Sequence, residues 1–374
     1  MSLKILLTAD NHIGLRFGGY PDEVKEVLEE ERFVALERLI QQANTRHADF
    51  VVVAGDLFDR LGVPAGDVKR TLGILGQFHG TATLLLPGNH DFCEGPDSKL
   101  WARIVKECHG SVIVPITKAK TLDFAVGDRS VQFFACPCPS KTSPDPMTGW
   151  VTDAPKDPEA LHIGVAHGNV TGLGLDLADQ YFSMREPDLK AAGLATWLLG
   201  HVHIASPTDG TVGTPPFFMP GTHTPDCITS AHRGHAWWIE FEGTSVGRYE
   251  QLTSGALQFA RLTRTLQHAT ELESLEQECD ALDARHTVLD LELSGRLSEQ
   301  DLQRLQALLQ DLSHRFLHLT HETDITTVLD AEAIAKQFPD GTLPGKLLNA
   351  LLEDDLHPGD ANLALQLLEG LRNQ

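Results

Sequence analysis

A chain of 374 residues with 41% hydrophobic and 22% charged side chains reads as a soluble globular protein of two or three domains, too long for one core. Nothing in it approaches the apolar run of a membrane span, and the short apolar start meets Asp10 at once, which predicts a buried strand rather than a signal peptide and a cytoplasmic protein. The net charge of −22 argues against a protein that coats nucleic acid, and residues 261–374, with 9 Lys+Arg against 21 Asp+Glu, carry over half of the excess.

From the N-terminus, strand-like apolar runs alternate with helical periodicity, the pattern of parallel α/β units. A strand is predicted over residues 4–8, then an amphipathic helix over about 21–47 with Val24, Val27, Leu28, Phe33, Leu36 and Leu39 on one stripe. A strand over 50–54, a helix over 67–79 and a strand over 82–86 follow. Residues 112–249 hold less regular strands (130–135, 161–166, 197–199, 217–219, 235–241) and predict a second sheet facing the first. Near residue 260 the character changes. A polar helical stretch over 264–285, a strand over 286–293, a Leu/Gln-rich helix over 298–313 and a strand over 316–319 predict a small β-α-β domain. Residues 329–374 read as short acidic helices split by Pro339, Pro344 and Pro358. The expected domains are therefore 1–260, 261–328 and 329–374.

Each strand of the first part ends in a polar cluster. In chain order these are Asp10-Asn11-His12, Gly55-Asp56-Leu57-Phe58-Asp59, Gly88-Asn89-His90-Asp91, His167, and Gly200-His201-Val202-His203. Open α/β sheets place their chemistry at strand carboxyl ends. Carboxylates mixed with imidazoles suit Mn²⁺, Fe or Zn²⁺ better than Ca²⁺ or Mg²⁺, which prefer all-oxygen shells. A single Asp or His at such a place is ordinarily a turn residue; five clusters in sequence are a ligand set. His167 is chosen over His162 because it follows the apolar run 163–166 and so lies at the chemical end of its strand. The six cysteines form no disulfide framework, and Cys136-Pro137-Cys138, without a second pair, reads as structural thiols. Lys118, Lys120, Arg129 and Lys141 form a modest basic cluster.

The ordered series D-x-H, G-D-x-x-D, G-N-H-D, H, G-H-x-H resembles the calcineurin-like metallophosphoesterases. That resemblance implies a two-sheet βαβ sandwich, an α/β fold, with a small α+β capping domain and C-terminal helices. It implies two divalent cations, Mn²⁺ first and Fe or Zn²⁺ next. Asp10, His12, Asp56 and His203 would hold one, and Asp56 as a bridge with Asn89, His167 and His201 the other. His90 would be the imidazole that donates to the phosphate or leaving oxygen, with Asp59 paired to it to fix its tautomer. Arg60 follows Asp59 where some relatives direct an arginine at the substrate phosphate; an ordinary surface arginine is the simpler reading. Asp91 is either a supporting carboxylate or a turn residue.

Within that superfamily the stretch 50–59 and the first helix, with Glu30-Glu31-Arg32 followed by Phe33, Leu36 and Ile40, are similar to SbcD-type DNA repair nucleases, and the small β-α-β segment resembles the capping domain of those nucleases. This implies DNA as substrate, a homodimer, and a coiled-coil SbcC-like ATPase gripped by the C-terminal helices, where Leu347, Leu348, Leu351, Leu352, Leu363, Leu365, Leu367 and Leu368 form a dense apolar set; packing of these leucines back on the capping domain is the equal alternative. A nucleotide-scale phosphodiesterase or phosphatase of the same fold is the alternative favoured by the charge. A regulatory scaffold with a residual metal site is the third reading.

Overall fold

A computed structural model describes residues 2–173, 180–208, 214–230, 232–327, 334–335, 337–338, 341–352 and 360–372. Pro339 and Pro358, expected to break helices, lie outside them. In chain order the first unit runs β1 (Leu3–Thr8), α1 (Asp22–Thr45), β2 (Phe50–Ala54), α2 (Ala65–Leu75), β3 (Ala82–Leu86), α3 (Lys99–Glu107) and β4 (Ile113–Pro115). Then come β5 (Lys120–Val126), β6 (Arg129–Cys136), β7 (Leu161–His167), α4 (Glu186–Ala191), β8 (Thr196–Gly200), β9 (Phe217–Phe218), β10 (His235–Glu242) and β11 (Ser245–Thr253). One sheet has the order β11-β10-β1-β2-β3-β4 and the other β5-β6-β7-β8-β9. The fold is a mixed α/β two-sheet sandwich.

Every residue of β2 and β3 is buried, because helices cover one face of their sheet and the second sheet covers the other. Alternate residues divide between two cores. Ile5, Leu7, Phe50, Val52 and Leu84 meet Phe133, Ile163, Val165, Leu198 and Phe218 between the sheets. Leu6, Val51, Val53 and Leu85 meet Leu36, Leu39, Ile40 and Leu72 of the helical layer. Val27, placed on the apolar stripe of α1 by its spacing, is exposed. The expectation that residues 112–249 form only the second sheet is corrected: β4, β10 and β11 join the first. Antiparallel pairing of β10 with β1, Leu3 opposite Phe241 and Leu7 opposite Trp237, seals an edge of β1 that would otherwise present open backbone groups.

The chain divides into two compact units at residue 259/260. The second contains β12 (Gln258–Leu266), α5 (Ala269–Asp280), β13 (Thr287–Leu297), α6 (Glu299–Arg315) and β14 (His318–Thr327). Its sheet has the order β12-β13-β14. Residues 258–266 are a strand, not the start of the helix expected from 264, because Arg261, Thr263 and Thr265 alternate outward and bond across to Asp290, Glu292 and Ser294 of β13. Two further helices, α7 (Leu343–Leu352) and α8 (Asp360–Arg372), pack their own cluster around Ile334, Phe338, Leu348 and Ala361.

Candidate metal centre

β1, β2 and β3 run parallel, as do β6, β7, β8 and β9, so the five polar clusters all leave carboxyl ends of strands. The loops after β1 and β2 continue side by side: the amide nitrogens of Asp10, His12 and Ile13 donate to the carbonyls of Gly55, Asp56 and Leu57 at 3.1, 3.0 and 2.9 Å. To aim their side chains inward from these loops, Asp10, His12 and Asp56 take φ of 51°, 42° and 52°, a region that L-residues avoid. Such conformations persist only where surrounding bonds over-determine them. Gly55 is required here for two reasons. Its φ is +92°, and a Cβ on it would stand 2.2 Å from Nδ1 of His167.

Two groups of ligand atoms converge. In one, Nε2 of His12 lies 3.2 Å from Nε2 of His203 and 3.8 Å from Oδ2 of Asp56, and Nε2 of His203 lies 3.9 Å from Oδ1 of Asp10. In the other, Oδ1 of Asn89 lies 3.0 Å from Nε2 of His167 and 2.9 Å from Nδ1 of His201, and Nε2 of His167 is 3.3 Å from Oδ2 of Asp56. Asp56 belongs to both. Asp10, His12, Asp56 and His167 are all buried. All seven residues proposed as ligands are thus brought together.

The donor bookkeeping of this cluster fits cations. Nδ1 of His167 reaches the Ala54 carbonyl at 2.8 Å, so it carries a proton and Nε2 presents a lone pair to Asn89 Oδ1 and Asp56 Oδ2, which also accept. With the His167 ring neutral, acceptors thus face acceptors in a buried site, an arrangement that a cation between them or a second proton on the ring relieves. The electrostatics agree. Burial raises the Asp10 carboxyl above its usual range. Burial opposes ionisation of Asp56 as well, but His167 and the neighbouring imidazoles overcome it and hold Asp56 low. Burial likewise opposes a charged His167, yet Asp56 and Asp10 hold its pKa at about 9, so the site draws in a cation or, without one, a proton.

The remaining expected residues lie beside this cluster. His90 stands edge-on to His12, with ring centroids 4.8 Å apart, and its amide nitrogen donates to Asp56 Oδ1 at 2.8 Å. The pairing expected between His90 and the Asp59 side chain is corrected. Nδ1 of His90 bonds the backbone carbonyl of Asp59 at 2.9 Å, while the Asp59 carboxylate faces Arg60 at 3.1 Å and His12 Nδ1 at 3.6 Å. The turn after β2 brings the carbonyl, not the side chain, under the imidazole. Arg60 spends Nη1 on the Gly14 carbonyl, at 2.5 Å, and on Asp59, so its contacts here are to the ligand loops. Asp91 is buried and supports the turns: its two oxygens accept the amides of Gly88 and Phe58 at 2.7 and 3.0 Å. Burial and Asp56 push its carboxyl up to about 7.

Cys136 and Cys138 are buried free thiols, Cys136 pushed up to about 12 by desolvation, in keeping with a structural reading. His162 bonds the Asp157 carbonyl and stays out of the site. Of the basic cluster, Arg129 donates to the carbonyls of Phe241 and Gly243 and ties two strands together. Two groups escape a reading of the sequence. Arg32, fully buried in α1, donates to the Asn11 carbonyl at 2.7 Å, directly between the ligands Asp10 and His12. Asp226, in the loop between β9 and β10, accepts from His203 Nδ1 at 2.6 Å; burial opposes its ionisation, but His203, Ser230 and Arg32 hold it well below the usual carboxylate range. Neither belongs to a short motif. The only signal for Arg32 is a cation on the face of α1 that buries Leu28, Leu36 and Leu39.

Known proteins resemble this chain in sequence. The sequence profile of the calcineurin-like phosphoesterases fits residues 3–205. The chain is 26% identical to the uncharacterized metallophosphoesterase YhaO of Bacillus subtilis over 212 residues, covering 54% of this chain and 48% of that protein. It is 34% identical over 107 residues to the DNA double-strand break repair protein Mre11 of Methanosarcina acetivorans, 28% of this chain and 16% of that one. It is 31% identical over 93 residues to the SbcD component of nuclease SbcCD of Staphylococcus saprophyticus, 24% of this chain and 23% of that one. The chain therefore spans about half the length of YhaO and less of the other two. With more than half of its length matched by the profile and the motif residues converging in space, the chain belongs to the calcineurin-like phosphoesterase family.

Proposed function

We propose that this metal-dependent phosphoester hydrolase cleaves DNA phosphodiester bonds, as the nuclease partner of a coiled-coil ATPase and as a homodimer. The observation that carries the hydrolytic part is the convergence of Asp10, His12, Asp56, Asn89, His167, His201 and His203 with acceptor atoms facing acceptor atoms. In this reading Asp10, His12, Asp56 and His203 hold one cation, and Asp56, Asn89, His167 and His201 the other, with Mn²⁺ the first candidate. Bound there, two divalent cations supply a water of lowered pKa as nucleophile and neutralise charge on the phosphate oxygens. His90, its Nδ1 engaged by the Asp59 carbonyl, keeps Nε2 for a proton delivered to the leaving oxygen. Asn89 and His90 are adjacent on one turn, so one side chain coordinates while the other faces the phosphate.

DNA as substrate is supported by the similarity of about a hundred residues to Mre11 and to the SbcD component of nuclease SbcCD. An apolar partner is supported by α7 and α8, which leave Leu343, Leu347, Leu363 and Leu367 exposed, Leu343 at 81%. A second reading, a small phosphodiester substrate, is favoured by charge. The chain carries −22, a field that a phosphate backbone approaches less readily than a single small ester does. Purified chain with Mn²⁺, given end-labelled duplex DNA and bis-p-nitrophenyl phosphate in parallel, separates the two. Cleavage of both supports the nuclease. Turnover of the small ester alone, at DNA concentrations that saturate other nucleases, assigns the small substrate.

A further inference from the structure

Among the imidazoles of the cluster, His203 is held in a different way. The His12 and His167 side chains are 5% and 0% exposed and are fixed by the packing around them. The His203 side chain is 39% exposed, on the loop that leaves β8, and its ring meets the cluster edge-on at His12, with centroids 5.1 Å apart. On its other side it makes one short bond, from Nδ1 to Oδ2 of Asp226 at 2.6 Å. The other carboxylate oxygen accepts the Ser230 hydroxyl at 2.7 Å, which fixes the plane of the carboxylate, and only 14% of the Asp226 side chain is exposed. A carboxylate can only accept, so the proton of a neutral His203 ring sits on Nδ1. Nε2 is then left with a lone pair, aimed at the space shared with His12 Nε2 and Asp10 Oδ1.

We propose that Asp226, oriented by Ser230, is a positioning residue that sets the tautomer and ring direction of His203 and so completes the cation site of Asp10, His12 and Asp56. A carboxylate behind a metal-binding histidine fixes the ring and raises its basicity, and loss of such a partner typically costs about 10–100-fold in metal affinity. Asp226 stands 23 residues beyond His203 and outside every motif cluster, so the fold and not local sequence delivers it. The inference rests on the cation-binding reading of the site.

Two measurements on the full chain test it. In calorimetric titration with Mn²⁺, Asp226→Ala weakens one of the two binding events by about 10–100-fold and leaves the other within about threefold, and Asp226→Glu recovers part of the loss. Combined with His203→Ala, the Asp226→Ala change adds nothing, since no ring remains to be positioned. The second measurement needs no metal. With ¹⁵N-labelled histidine at mildly alkaline pH, the His203 ring of the wild-type chain carries its proton on Nδ1, and in Asp226→Ala the proton moves toward Nε2. Unchanged affinities in Asp226→Ala, additive losses in the double variant, or an unchanged His203 tautomer each overturn the proposal. A wild-type chain that takes up no Mn²⁺ or Zn²⁺ fails the cation reading itself, and the tautomer spectra then still decide whether Asp226 governs His203.

Discussion

The inner and outer sides of the cluster are built by different means. On the inner side Asp10, Asp56, Asn89 and His167 are buried and are held by main chain: positive φ at two carboxylates, the Ala54 carbonyl under His167, the His201 amide on both oxygens of Asp10, and the notch left by Gly55. On the outer side His90, His201 and His203 are partly exposed. His90 leans on the Asp59 carbonyl, His203 on Asp226, and His201 packs against the ring of Tyr181 with centroids 5.1 Å apart. A ligand fixed by backbone geometry has no second position to adopt. One fixed by a single partner keeps a soft direction, which suits groups that must meet a substrate arriving from solvent. The difference predicts that changes on the inner side cost both cations or the fold, whereas on the outer side the loss of Asp226 weakens one cation and the loss of the His90 ring lowers the rate alone.

The largest effect belongs to Asp56→Asn. Its carboxylate approaches ligands of both halves, at 3.3 Å from His167 and 3.8 Å from His12, and it also accepts the His90 amide. Removing the charge leaves both cation sites short of their shared anion. Elemental analysis of the purified variant is expected to show neither site filled, and cleavage of any phosphodiester to fall below detection. Two metals retained at wild-type affinity contradict the bridging role. Next comes Gly55→Ala, which touches no ligand atom chemically. The added methyl must displace the His167 ring from 2.2 Å while the residue keeps φ near +92°. Backbone strain and overpacking together cost about 2–5 kcal/mol. Denaturant unfolding should show that loss together with a fall in metal content, and a variant of wild-type stability means the ring has room to retreat.

The ligand motifs of both sides are what sequence can announce. Gly-Asp, Gly-Asn-His-Asp and Gly-His-x-His are local patterns, because the glycine that frees the turn and the residue it presents are neighbours in the chain. His167 can be chosen over His162 by its place at the end of an apolar run, and β7 ends on it. The supports behind them are illegible because they are distant: Asp226 supports a ring 23 residues earlier, and Arg32 reaches back 21 residues to Asn11. Long-range pairing also hides the true place of β10, whose strand character is evident but whose partner, β1, lies at the other end of the unit, and β11, which pairs with β10, is not among the strands read from the sequence. In the second unit the period misleads. Residues 264–266 fall within the expected helix, although the outward alternation of Arg261, Thr263 and Thr265 is already that of a strand.

On the outer side, His90→Asn is expected to keep both metals. Its ring makes no ligand bond in this reading, and its Nδ1 is occupied by the Asp59 carbonyl at 2.9 Å. Its amide bond to Asp56 survives the substitution, since asparagine keeps the backbone N–H. The rate at saturating metal should fall by about 10²–10⁴, the usual worth of a positioned acid or base. Metal content by emission spectroscopy, read beside hydrolysis rates, decides the matter. Loss of metal in this variant makes His90 a ligand and removes the proton-donor role.

The smallest effect sharpens the same contrast. In Asp59→Ala the main-chain carbonyl that holds His90 remains, so the imidazole keeps its tautomer and direction. What disappears is a carboxylate 3.1 Å from Arg60 and 3.6 Å from His12 Nδ1. Arg60 still has the Gly14 carbonyl at 2.5 Å, and the His12 contact is longer than a hydrogen bond, so neither loss frees a ligand. A partly exposed charge acting at that distance contributes at most about 1 kcal/mol, which corresponds to a rate reduced less than about tenfold with metal content unchanged. The cycle with His90→Asn makes the distinction quantitative. If the carbonyl is the support, the two changes act nearly independently and their effects on the rate multiply. If Asp59→Ala alone lowers the rate by about 10² or more and adds nothing to His90→Asn, the carboxylate swings onto the imidazole during turnover, and the backbone contact describes only the resting site.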